Sequence, residues 1–167
     1  MFLNKSMNKI LTLTLVALLS FTACATKKPA ATDDGTIPTA ANADENTMGD
    51  SDNGKAMGLQ TIHFGYDSYT LDDANKAQLN ANAQILKDKP TIKTQVEGHC
   101  DARGGIQYNL ALGEKRANSV KKFLIDQGIA ADRLSVISFG KEKLLDTTDS
   151  DAAHAKNRRG TFVIIAR

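Results

Sequence analysis

The 167 residues carry 21 Lys+Arg against 19 Asp+Glu, are 41% apolar and 5% aromatic, and include no Trp. Such a length fits one domain with appendages, built around a modest core of Ile, Leu, Val and Ala. A net charge of +2 is too balanced for a nucleic-acid footprint, so Lys-rich spots such as Lys121-Lys122 read as the solvated face of a helix.

The chain opens with Lys5 and Lys9 ahead of an apolar run from Ile10 to Phe21. That run has the length of a signal-peptide core and is short for a bilayer span. Phe21-Thr22-Ala23-Cys24 closes it and resembles a bacterial lipobox, with Phe21 in place of the usual Leu. We therefore expect residues 1–23 to be a lipoprotein signal peptide, with translation starting at Met1 or Met7, and Cys24 to be the lipid-modified first residue. The alternative is an ordinary secretory signal with an incidental cysteine. Several acyl chains on one residue exceed the two signals needed for stable anchoring. Ala25, rather than Asp, follows the cysteine, and by analogy with enterobacterial sorting this directs the chain to the outer membrane.

Residues 24–58 contain Pro29, Pro38, several glycines and an excess of acidic residues, without apolar periodicity. A flexible tether is expected there, because nothing offsets the entropy of ordering it. Thirty-odd flexible residues span about 30 Å on average and roughly 110 Å at full stretch.

A globular domain follows over 59–167. Ile62 and Phe64 alternate with polar residues as in a half-buried strand, and Asp67-Ser68-Tyr69 forms a turn. Thr70-Leu71-Asp72-Asp73 resembles a capping box, and Ala74, Ala77, Ala81 and Ile85 predict the buried stripe of a helix that Pro90 stops. Thr91 to His99 reads as a strand with Ile92, Thr94, Val96 and Gly98 on one side. Gly104-Gly105 turn the backbone into a helix from Ile106 to about Gln127, with Leu110, Gly113, Ala117, Val120 and Leu124 inward. Leu134 to Phe139 is a third strand, Asp151 to Lys156 a short helical turn, and the apolar run Thr161 to Ile165 a strand covered on both sides. The order β-α-β-α-β-β implies a two-layer α/β sandwich with helices on one face.

Around the central strand and helix, polar residues converge. Asn109 and Arg116 are seven apart on one helix and share a side of it, and Asp101 lies in the loop before them. Unpaired N–H groups at a helix start attract an anion, Arg116 can fork a carboxylate, and Asp101 is left for an ammonium. The ligand this chemistry asks for is a zwitterion with amine and carboxylate on one carbon.

At these residues a resemblance becomes specific. Glu97 to Gly104, Tyr108 to Ala117, Ser138 to Glu142 and Asn157-Arg158-Arg159 are together similar to the OmpA-like peptidoglycan-binding family, most of all its peptidoglycan-associated lipoproteins. The resemblance covers roughly 59–167 and implies that family's four-stranded mixed sheet. It also implies that Asp101 and Arg116 grip the meso-diaminopimelate of peptidoglycan stem peptides, and that Tyr66 and Asp67 lie beside the mouth. Arg103 belongs to the same loop motif. Arg158 and Arg159 point to opposite faces if extended, so one of them at most serves the ligand, and Arg158 is the expected secondary contact. The expected binding set is Asp101, Arg116, Asn109, Asp67, Tyr66, Arg103 and Arg158. Two positions depart from the pattern: Ala102, where relatives carry an acidic residue, and Cys100, where they carry a small one.

The resemblance implies an outer-membrane lipoprotein whose domain faces the periplasm and ties membrane to wall within the Tol-Pal envelope and cell-division system. The alternative is mainly a protein-interaction module for periplasmic TolB or surface partners. His99-Cys100-Asp101 invites an enzymatic reading, but neighbours at a strand end project to opposite faces, which separates His99 from Cys100. The sequence has no metal-ligand spacing or phosphate loop, so no catalytic residue, metal or cofactor is expected. His99 reads as a satisfied strand-end histidine and Cys100 as a buried, inert thiol.

Overall fold

The computed structural model describes residues 49–167; the expected signal peptide, Cys24 and the expected tether up to residue 48 lie outside the described residues. The described elements run β1 (Ile62–His63), α1 (Asp73–Asp88), β2 (Lys93–His99), α2 (Ile106–Asp126), a 3-10 turn (Ala131–Arg133), β3 (Leu134–Gly140), α3 (Asp151–Asn157) and β4 (Arg159–Ala166). The strands form one sheet in the order β1-β4-β2-β3. Only the β2–β3 pair is parallel; β4 runs antiparallel to both β1 and β2. β4 is thus interior, which is why its sequence is apolar almost throughout.

One face of the sheet carries Ile62, Phe64, Val96, Leu134, Phe162 and Ile164, which pack against Leu79, Ala83 and Leu86 of α1 and Ala117, Val120 and Leu124 of α2. This is the α/β two-layer sandwich expected, with α3 added as a full short helix capped by Ser150.

Four details depart from the sequence reading. The tether expected to 58 is ordered from Gly49 onward: Ser51 N donates to Phe162 O at 2.9 Å, Ile164 N donates to Gly49 O at 3.0 Å, and Ala56 is fully buried. This segment continues along the β4 edge that two-residue β1 leaves unpaired. The buried stripe of α1 is Asn75, Leu79, Asn82, Ala83 and Leu86, while Ala74, Ala77 and Ala81 face solvent. Two asparagines face inward because each serves backbone: Asn75 donates to His63 O, and Asn82 both donates to Gln60 O and accepts from Gln60 N. The α1 N-cap is Asp72, which accepts from Asn75 N, rather than Thr70. On α2, Leu112 is buried and Leu110 only half-buried.

Two glycines set where α2 sits. A Cβ on Gly98 would lie 1.9 Å from Gly113 O, and one on Gly113 would lie 2.3 Å from Ser138 Oγ. The helix therefore touches β2 backbone to backbone, and its first turns hang over the C-terminal end of that strand.

Candidate functional site

At that end the register of the β2–β3 pair slips between Gly98 and His99, and Cys100 N donates to Gly140 O. The kink separates the last two side chains of the run, as strand alternation requires. His99 stacks on Phe139 with centroids 5.5 Å apart, whereas Cys100 Sγ donates to Asn109 O at 3.3 Å on the helix side. Burial pushes the Cys100 thiol above its ordinary value, in keeping with an inert cysteine.

The loop from Asp101 to Gly105 then turns, with Gly104 at φ +85°. It is tied down from both sides: Asn109 Nδ2 donates to Arg103 O at 2.7 Å and to Gly105 O, and Lys141 Nζ donates to Gly104 O at 2.7 Å. α2 starts at Gly105 without a side-chain cap.

All seven residues expected to bind ligand line one cleft of about 160 Å³, together with Cys100, Gly104, Tyr108 and Leu112. Asp101 is nearly buried and accepts four hydrogen bonds: from Arg103 N, Nε and Nη2, the last at 2.6 Å, and from Arg158 Nη1 at 3.3 Å. Burial alone would raise its carboxyl; the bonds from Arg103 and Arg158 outweigh that and hold it below the usual aspartate range. Arg158 also donates Nε to Phe64 O, and the Arg103 guanidinium lies 4.3 Å over the Tyr66 ring. Tyr108 donates its hydroxyl to Asp67, which is held at φ +49°, a costly conformation for a non-glycine residue.

Arg116 has no exposed surface. Nε donates to Ser68 O, Nη1 to His99 O and Cys100 Sγ, and Nη2 to Gly65 O, at 2.8–3.3 Å. The expected free fork is therefore largely spent on backbone, and one Nη2 N–H is left of five. Likewise Asp101 is paired rather than waiting for an ammonium, and Asn109 is spent on the loop. His99 is less satisfied than expected: neither ring nitrogen makes a hydrogen bond among the described residues.

Tyr108 and Leu112 were not singled out from sequence. A signal existed for both: Asn109, Leu112 and Arg116 lie on one i, i+3, i+7 stripe, and Tyr108 shares the first turn of α2.

Three arginines around a buried carboxylate, at a helix start and a strand end, make a small charged cleft. The OmpA family pattern matches residues 63–158, and the chain belongs to that family. It is similar to the peptidoglycan-associated lipoprotein of Legionella pneumophila, at 32% identity over 89% of this chain and 91% of that one. The Pasteurella multocida protein of the same name is 40% identical over 61% of this chain and 68% of its own. In three dimensions the chain matches the peptidoglycan-associated lipoprotein of Burkholderia pseudomallei with a TM-score of 0.61, at 38% identity over 62% of this chain and 88% of that structure.

Proposed function

We propose that this chain is a non-catalytic anchor: Cys24 carries lipid in the outer membrane, and the cleft, facing the periplasm, holds the diaminopimelate end of peptidoglycan stem peptides. The observation that carries the reading is the paired geometry of Asp101 between Arg103 and Arg158 over buried Arg116. The similarity to proteins named peptidoglycan-associated lipoproteins supports it.

Binding is an exchange of ion pairs. A carboxylate offers about four acceptor positions, and Asp101 uses all four on arginines. Arg103, whose side chain is 40% exposed, is the partner that can leave. The ligand's ammonium takes its place on Asp101, and Arg103 turns to the ligand's carboxylate beside Arg158 and the last Arg116 N–H. Neither charge is left bare at any stage, which keeps desolvation affordable.

Co-sedimentation with purified cell-wall sacculi tests this. Truncating one partner of a desolvated charge pair costs about 2–5 kcal/mol, so Asp101→Asn is expected to lose roughly 30-fold or more in wall affinity while keeping the native circular dichroism. A folded Asp101→Asn protein that sediments like the parent would overturn the reading.

A second reading, a docking module for TolB, is favoured by the apolar rim of the mouth, where Tyr66, Ile106 and Tyr108 are each more than half exposed. A TolB complex displaced by soluble stem peptide places both partners on one mouth; indifference to the peptide separates them.

A further inference from the structure

The sheet face turned away from α1 and α2 holds a second cleft, of about 360 Å³, lined by Glu97 and His99 of β2, Arg159, Thr161 and Val163 of β4, Asp50 and Asp52 of the N-terminal segment, and Lys143 to Leu145. Two of its buried polar residues, His99 and Glu97, have few bonds of their own. His99 is 1% exposed, its Nδ1 and Nε2 have no hydrogen bond among the described residues, and its Nε2 stands 3.4 Å from Glu97 Oε2 without alignment. The Glu97 side chain, 10% exposed, has no other close polar partner among the described residues. The Glu97 carboxylate keeps some solvent contact, but a buried imidazole with neither nitrogen bonded is expensive and calls for an explanation.

The neighbouring charges are already engaged elsewhere. Arg159 Nε bonds Asp52 Oδ2 at 2.7 Å, and Asp52 is further bonded by Thr61 and Thr161. Asp50 accepts from Asn53, and Lys143 Nζ lies 4.0 Å over the Phe139 ring. Among the described residues no group of three or more His, Cys, Asp or Glu is arranged to hold a metal. What suits the pair is a donor with several N–H bonds and a positive charge, giving one to the carboxylate and one to the imidazole lone pair. Leu144, Leu145 and Val163 line the same cleft and suit an aliphatic stem behind that charge.

We propose that this cleft is a second binding site, which takes a primary ammonium on an aliphatic stem, from either a lysine side chain of a protein partner or a free aliphatic amine. It is separate from the Asp101 cleft and does not depend on what that cleft binds.

The full chain labelled with ¹⁵N-histidine reads this directly, with His154 as an internal control. Pentylammonium is expected to shift the His99 ring nitrogens saturably in the millimolar range, and 1-pentanol is expected to leave them in place. Glu97→Gln should weaken the pentylammonium response at least tenfold. Leu145→Lys, a change at a rim position that is 55% exposed and so tolerant of substitution, should weaken it about fivefold by placing a competing ammonium at the mouth. The peptide acetyl-Gly-Lys-Gly-amide binding as tightly as pentylammonium assigns the site to a protein partner, and its failure beside a binding amine assigns it to free amines. No saturable shift with either cation, an equal shift with pentanol, or an unchanged response in folded Leu145→Lys overturns the proposal.

Discussion

Arg116 was legible as a candidate site residue from its spacing to Asn109 on one helix, but its condition was not. A sequence cannot show that a guanidinium is enclosed by the carbonyls of Gly65, Ser68 and His99, which come from two separate stretches of chain. The consequence is that Arg116 builds the cleft before it binds anything. Arg116→Ala should cost about 3 kcal/mol in urea unfolding, since it strands buried acceptors; a loss of wall binding in that variant without loss of stability would contradict the geometry. His99 makes a second residue-level prediction. Burial lowers its imidazole below the ordinary 6.5, opposed by Glu97 and helped by Arg159. The unfolded chain therefore takes up that proton at higher pH than the folded chain does. Stability from neutral His99 is complete above about pH 6.5 and is lost as pH falls through the folded value. His63, shifted the same way, adds to the slope. Unfolding free energies measured from about pH 7.5 down to 5 should fall in the parent and fall less steeply in His99→Phe.

At the level of elements, the strand-to-helix passage from β2 into α2 was readable because its two glycines and its apolar spacing agree. The reading of α1 failed for a stated reason: alanines look like core, yet Asn75 and Asn82 take the inward positions because β1 is too short to satisfy its own flanking backbone. Hydrophobic counting has no access to such a demand. The contact of Gly98 with Gly113 carries the site, because it fixes the height of α2 over the strand end and hence the positions of Asn109, Leu112 and Arg116. Gly113→Ala puts a methyl group into Ser138 Oγ and the Gly98 carbonyl. It should cost about 1–3 kcal/mol in thermal unfolding and weaken ligand binding together with stability. A variant that loses neither would mean the helix does not rest there.

For the whole molecule, the sandwich and its helical face followed from the order of elements, whereas the strand order β1-β4-β2-β3 did not, since local pattern carries no pairing information. The domain boundary was misplaced for a related reason. Residues 49–58 look like polar linker, but Asp52 answers buried Arg159 and Ala56 fills the core from more than a hundred residues away from β4. Within this frame the central claim is that the Asp101 cleft reads a zwitterion. Calorimetric titration with a diaminopimelate stem peptide and its lysine analogue, which lacks the second carboxylate, tests that claim most directly. The account predicts that the diaminopimelate peptide binds at least about tenfold more tightly, a difference of ~1.4 kcal/mol. Equal affinity for the two peptides would contradict it.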